Sequence, residues 1–219
     1  MNLSNLFFPS ALMKKRLVTS ATAVATVFLL SAPAHATFII ATNPGGDQFF
    51  NGDANTNVSS FTGTVGGQHS GPQVTVTTVG NVDTGAGFSN IKPVKGGSLT
   101  SLTFAPADPN LFGDFSFRGQ LEGDAGGQVV LTVQDNQGDK AQQFTFTGLG
   151  SNADFARIGI IAAPGSGETI KSVTLSSLFK EEKQNEFSLA AVIPEAQTYA
   201  MLGLGITLLV VGLRRRNMI

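Results

Sequence analysis

Asp53, Asn55 and Asn57 set three side-chain oxygens at alternate positions, the pattern by which a loop wraps a calcium ion. An EF-hand would continue with glycine at its sixth position and glutamate at its twelfth; Val58 and Thr64 stand there, so that motif is excluded. A looser calcium loop is what remains. Gly46-Asp47, Gly52-Asp53, Gly113-Asp114, Gly123-Asp124 and Gly138-Asp139 offer further loop carboxylates. Glycine and aspartate also make ordinary turns, and for each single pair that is the better reading. No metal site is therefore assigned, and structural calcium at Asp53, Asn55 and Asn57 is the only cofactor that the residues suggest.

Other reactive patterns are incomplete. The chain has no cysteine, which excludes thiol nucleophiles, thiolate metal sites and iron–sulfur clusters. Of the two histidines, His35 falls in the amino-terminal segment and His69 sits alone in a glycine-rich stretch. His69 reads as a flexible loop residue. The run from Gly165 to Ser172 has the outline of a phosphate loop, but Ile170 stands where glycine must precede the lysine, and the run enters a strand pattern. No G-x-S-x-G nucleophile turn is present. Nothing in the sequence selects a pair of carboxylates for glycoside hydrolysis. The chain reads as a non-enzyme, with no catalytic residue.

The elements that would carry these residues read as strands. Val74-Thr75-Val76-Thr77, Leu102-Thr103-Phe104 and Phe115-Ser116-Phe117 alternate apolar and polar residues with period two. Val129 to Val133 and Phe144 to Phe146 flank a connection starting Asp135-Asn136-Gln137-Gly138-Asp139, whose turn formers predict a hairpin. Ile158 to Ala162, Ile170 to Leu175 and Glu186 to Leu189 complete at least seven short strands. Phe115 with Phe117, and Phe144 with Phe146, are expected in the core. Thr42 to Pro72 is rich in Gly, Asn, Ser and Thr, and reads as loops with one or two weak strands. Lys180-Glu181-Glu182-Lys183 reads as a solvated turn or an edge segment whose charges prevent pairing with other chains. The fold class is all-β: a jelly-roll-like β-sandwich, flanked by an N-terminal signal helix and a C-terminal transmembrane helix.

Charge separates the ends from the middle. Residues 37–192 hold 8 Lys+Arg against 14 Asp+Glu, a net charge of −6. Such a body lacks the cations that phosphates need, so nucleic acid is not an expected partner. The ends are basic instead. Met13-Lys14-Lys15-Arg16 precedes the apolar stretch Leu17 to Leu30, and Ser31-Ala32-Pro33 then breaks any helix before Ala34-His35-Ala36. This is the three-part secretory pattern, with small residues at Ala34 and Ala36 where signal peptidase cuts. Cleavage is expected after Ala36, making residues 1–36 a signal peptide, with Met1 or Met13 as the start.

At the other end, Pro194-Glu195-Ala196-Gln197-Thr198-Tyr199 leads into Ala200 to Leu213 without a charge, and then Arg214-Arg215-Arg216. As a helix, the 15 residues Tyr199 to Leu213 would span about 22 Å. A bilayer core is about 30 Å, a gap that local thinning and snorkelling arginines would close. The arginines would stay cytoplasmic by the positive-inside rule. The body would lie outside.

Pro194 and Glu195, the Thr198-Tyr199 step, the glycines Gly203, Gly205 and Gly212 and the arginine cluster together resemble the PEP-CTERM sorting signal of Gram-negative bacteria. Ala196 departs from that family's pattern, which has a second proline there. The resemblance covers residues 193–219. It implies recognition by an exosortase at the inner membrane, with the tail a substrate element and not a working part. It also implies a place at the cell surface or in an exopolysaccharide matrix. Many such proteins carry β-sandwich bodies, and Ile158 to Ile161, Ile170 to Leu175 and Phe187 resemble their closing strands.

The organisation expected is therefore signal peptide 1–36, extracytoplasmic sandwich 37–192 and sorting or anchor tail 193–219. The function expected is an exported structural protein of the cell surface or exopolysaccharide matrix. The alternative is an extracellular carbohydrate-binding module, with or without calcium. Against it stands the absence of tryptophan and the placing of the single tyrosine, Tyr199, in the tail.

Overall fold

The computed structural model describes residues 38–123, 127–136, 141–149, 154–164 and 166–190. All of them belong to one unit, Pro33–Ile219. The expected signal residues Ala34 and Ala36, the expected motif Pro194, Glu195, Ala196, Thr198 and Tyr199, and the residues Arg214, Arg215 and Arg216 lie outside the described residues, as do Gln137 to Asp139 of the expected hairpin connection.

The described residues are all-β, and among them there is no helix. In chain order the strands are β1 (Phe38–Thr42), β2 (Asp47–Asn51), β3 (Asn55–Val65), β4 (Gln73–Thr84), β5 (Gly87–Phe88), β6 (Asn90–Pro93), β7 (Leu99–Pro106), β8 (Phe112–Leu121), β9 (Gly127–Asp135), β10 (Gln142–Leu149), β11 (Ile158–Ala162) and β12 (Ile170–Leu189). Every segment expected to be a strand is in β-structure. β11 spans the expected Ile158 to Ala162, and β9 pairs antiparallel with β10 across the expected hairpin.

β12 is the hub. Its first half lies between β7 and β9, with Val173 opposite both Phe104 and Val133. Its second half pairs with β8 along one edge, and with β6 and then β2 along the other. From β7 the pairing runs to β4, β3 and β2, and β2 returns to β12, so the hydrogen-bonded circuit closes on itself. On the far side β8 carries β11, and β11 carries β1.

Three expectations are corrected. Thr42 to Pro72 holds β2 and the eleven-residue β3, because Phe49, Phe61 and Val65 all point into the core from well-paired strands. The two strands expected at Ile170 to Leu175 and Glu186 to Leu189 are one twenty-residue strand. Lys180 to Lys183 is neither a turn nor an edge: it runs through the middle of β12, with β8 on one side and β6 on the other. Two bulges explain how. Against β8 the register slips between Phe179 and Glu181 and again between Lys183 and Glu186. An extra residue in one strand inverts the alternation of faces. Val173, Leu175 and Phe179 point inward; after the first slip Glu182 does; after the second, Asn185 and Phe187 do. Gln184, at the second bulge, takes the left-handed backbone with φ of +48°.

The core is built on phenylalanine. Phe104 of β7 meets Phe49, Phe115 and Phe187 at ring-centroid distances of 6.0, 5.4 and 6.3 Å. Phe115 and Phe117 share a face and are both fully buried, as expected. Phe146 is buried, whereas Phe144 is only half-buried at the margin of the core. With no cysteine in the chain, this packing and the ladders hold the body together.

Candidate functional site

A cleft of about 370 Å³ opens on the outward face of β3. Period-two alternation sends Phe61, Gly63 and Val65 inward and Thr62 and Thr64 outward. Thr64 faces Gln73 across the β3–β4 pair, and both line the cleft. The walls come from two turns. One, after β2, contributes Gly52 and Asp53, with Asn55 at the start of β3. The other, after β3, folds back over the face and contributes His69. Thr64 Oγ1 donates to Gly67 O at 2.6 Å, and Gln68 Nε2 donates to Gly52 O at 3.3 Å, which ties the second turn to the first. His69 adopts φ of +61°, and its ring lies so close to Gly52 that a Cβ there would stand 3.3 Å from Nδ1. Among the described residues, the Asp53 carboxylate and the His69 ring have no hydrogen-bond partner.

Of the three calcium candidates, the fold brings Asp53 and Asn55 to this cleft and turns Asn57 elsewhere. Asn57 is held by β4: its N–H donates to Asp83 Oδ1 at 2.9 Å, and its Oδ1 accepts from Asn81 Nδ2 at 2.9 Å. Asn55 Nδ2 donates to Asp53 O at 3.0 Å and to Thr84 Oγ1 at 3.3 Å. Among the described residues no three His, Asp or Glu side chains gather as a metal group would.

A second polar constellation lies inside. Glu182 is fully buried; its Oε2 accepts from Asn185 Nδ2 at 2.9 Å and from Ser89 Oγ at 3.4 Å. Asn185 Nδ2 also donates to Ser89 Oγ at 2.8 Å. Among the described residues, Glu182 Oε1 and Asn185 Oδ1 have no partner. Burial pushes the Glu182 carboxyl up to about 8, against the two hydrogen bonds, which favour the anion, and with help from the neighbouring charge of Glu181. At neutral pH Glu182 is thus a protonated acid locking β12 to the Ser89 turn. It is shut off from solvent, so the constellation is structural.

The opposite face of β12 carries alternating charge. Glu181 bridges Lys92 and Lys183 at 3.1 Å each, and Asp154 bridges Lys183 at 3.3 Å and Arg118 at 2.9 Å. Arg157 pairs with Glu186 at 2.8 Å. Sequence reasoning missed the burial of Glu182, since its signal is a pair of bulges that no local pattern announces. It also read His69 as an isolated loop residue, because the cleft it lines is assembled from the turn after β2 together with β3 and β4.

Gly165 lies outside the described residues, and the stretch after it feeds β12, which is the turn-to-strand arrangement expected in place of a phosphate loop.

Comparison of the chain with protein-family models, with curated proteins and with solved structures finds no match. What fold and cleft define is the class alone: an all-β protein with a polar surface cleft and a sealed acid at its centre.

Proposed function

We propose that this chain is an exported structural protein of the cell surface or exopolysaccharide matrix, sorted through its PEP-CTERM-like tail. The observation that carries the reading is the fit between the strands and the two sequence signals. β1 starts at Phe38, directly after the expected cut at Ala36, and β12 closes at Leu189, before Pro194-Glu195. Every strand among the described residues lies between the two expected signals, so removal of both takes none of these twelve. Signal peptidase and an exosortase are the processing partners, and the inner membrane holds the precursor. The body is read as a β-sandwich whose layers meet across Phe104, Phe115 and Phe187. A fold held by packing and not by disulfides suits a passive surface role.

Mass spectrometry of the protein recovered from its producing cells tests this. The expected chain starts at Thr37 and ends between Pro194 and Ala196. A chain that keeps Arg214 to Arg216 would overturn the sorting step in favour of a plain anchor.

A further inference from the structure

The outward face of β3 continues sideways into an exposed aromatic shelf. Thr64 faces Phe50 across the β2–β3 pair, and Phe50 faces Phe88 across the β2–β5 pair. Directly paired residues share a face, so Phe88, Phe50, Thr64 and Gln73 form one row across β5, β2, β3 and β4. The two rings lie 4.9 Å apart, tilted by 32°. Phe88 is 56% exposed. Every other large apolar residue exposed among those described is aliphatic. A ring left in water beside a polar cleft is a cost to the free protein that a ligand with an apolar face relieves.

We propose that this row is a glycan-binding site, with one sugar ring stacked on the exposed ring of Phe88, which leans on Phe50, and a further unit of the same oligosaccharide seated in the cleft. The two halves match the two sides of a pyranose. Its C–H face packs on an aromatic ring, and its hydroxyls need convergent hydrogen-bonding groups. In the cleft the Asp53 carboxylate accepts from a hydroxyl as a charge-assisted bond. Thr62, Gln73 and His69 offer both donors and acceptors around it. From Phe88 to Thr64 is two cross-strand steps, each about 5 Å, so the site calls for an oligosaccharide and not a single sugar. The volume of about 370 Å³ sits in the range of small-ligand sites. An apolar peptide would leave the Asp53 and His69 side of the cleft unmatched, and a nucleic acid would meet the Asp53 charge.

The proposal does not rest on export: it is read on the purified protein, whereas sorting is read in the terminal masses. The full-length protein would be titrated with tetrasaccharides of glucose, galactose, mannose and N-acetylglucosamine in α- and β-linkage, with and without EDTA. At least one is expected to bind, unaffected by EDTA. Phe88→Ala and Asp53→Asn, which touch no core contact, are each expected to weaken binding tenfold or more, with the melting temperature unchanged. Tenfold loss in either variant, in the folded protein, assigns binding to this row. No binding at millimolar concentration, unchanged affinity in both variants, or binding that EDTA abolishes would overturn the metal-free glycan site.

Discussion

Asn185 Nδ2 donates to Glu182 Oε2 at 2.9 Å within one strand, although residues three apart in a regular strand point to opposite faces. The bulge at Gln184 removes the contradiction by spending one residue without advancing the pairing. The device places an acid where the pattern of β12 calls for solvent, and it sets how stability responds to pH.

Glu182 has a folded-state value raised to about 8 from 4.5. The unfolded chain releases its proton first, so the stability linked to Glu182 is fully present below pH 4.5 and is lost as pH rises toward 8. Burial, first among the causes in each case, raises Glu186, Asp114 and Glu168 as well, so these groups act in the same direction. Glu182→Gln should flatten this dependence and raise stability at pH 7 by about 2–3 kcal/mol. Urea melts of both proteins from pH 4.5 to 9 check it, and parallel curves would refute the buried-acid account.

Gly159 lies opposite Ser116 where β11 pairs with β8, and a Cβ there would run into Phe115 O and stand 2.7 Å from Ser116 Cα. Backbone cannot swing aside as a side-chain tip can. Gly159→Ala is expected to cost about 2–3 kcal/mol by prying β11 from β8. Thermal unfolding reads the loss, and an unchanged midpoint would mean the strands separate more easily than this contact implies.

Phe104 joins the rings of β2, β8 and β12, so Phe104→Ala should cost about 3–5 kcal/mol through the cavity it leaves. Asp154 bridges two cations from the surface, where ion pairs contribute little, and Asp154→Ala should change stability by under about 1 kcal/mol. Denaturant melts of the two variants side by side test the ranking.

Asn57 is already engaged by Asn81 and Asp83, away from the cleft that Asp53 and Asn55 line. Calcium and EDTA are therefore expected to leave the melting temperature in place. A rise of several degrees with calcium, absent in Asp53→Asn, would instead assign an ion to that loop.

The strands of β4, β7, β8, β9 and β10 were legible because each carries alternation, and β11 because it is a short apolar run: Phe115 and Phe117 announce a buried face without reference to any neighbour. β3 was not, since its polar and glycine residues satisfy strand geometry only with β2 and β4 beside them. Nor was the union of the last two strands, since Lys180 to Lys183 looks like solvent until β8 and β6 flank it. The Phe88–Phe50–Thr64–Gln73 row draws on four strands, and no window of sequence contains it.

The sequence alone determined the β class and the acidity of residues 37–192, because period-two patterning and net charge are properties of the chain itself; the proposed processing signals rest on terminal motifs of the same local kind. Only the tertiary structure decided which charge is buried, which phenylalanine is left in water and which polar side chains share a cleft. Those depend on register, and register is fixed by residues far apart in the chain: one bulge at Gln184 is enough to move Asn185 and Phe187 to the face on which Glu182 already lies.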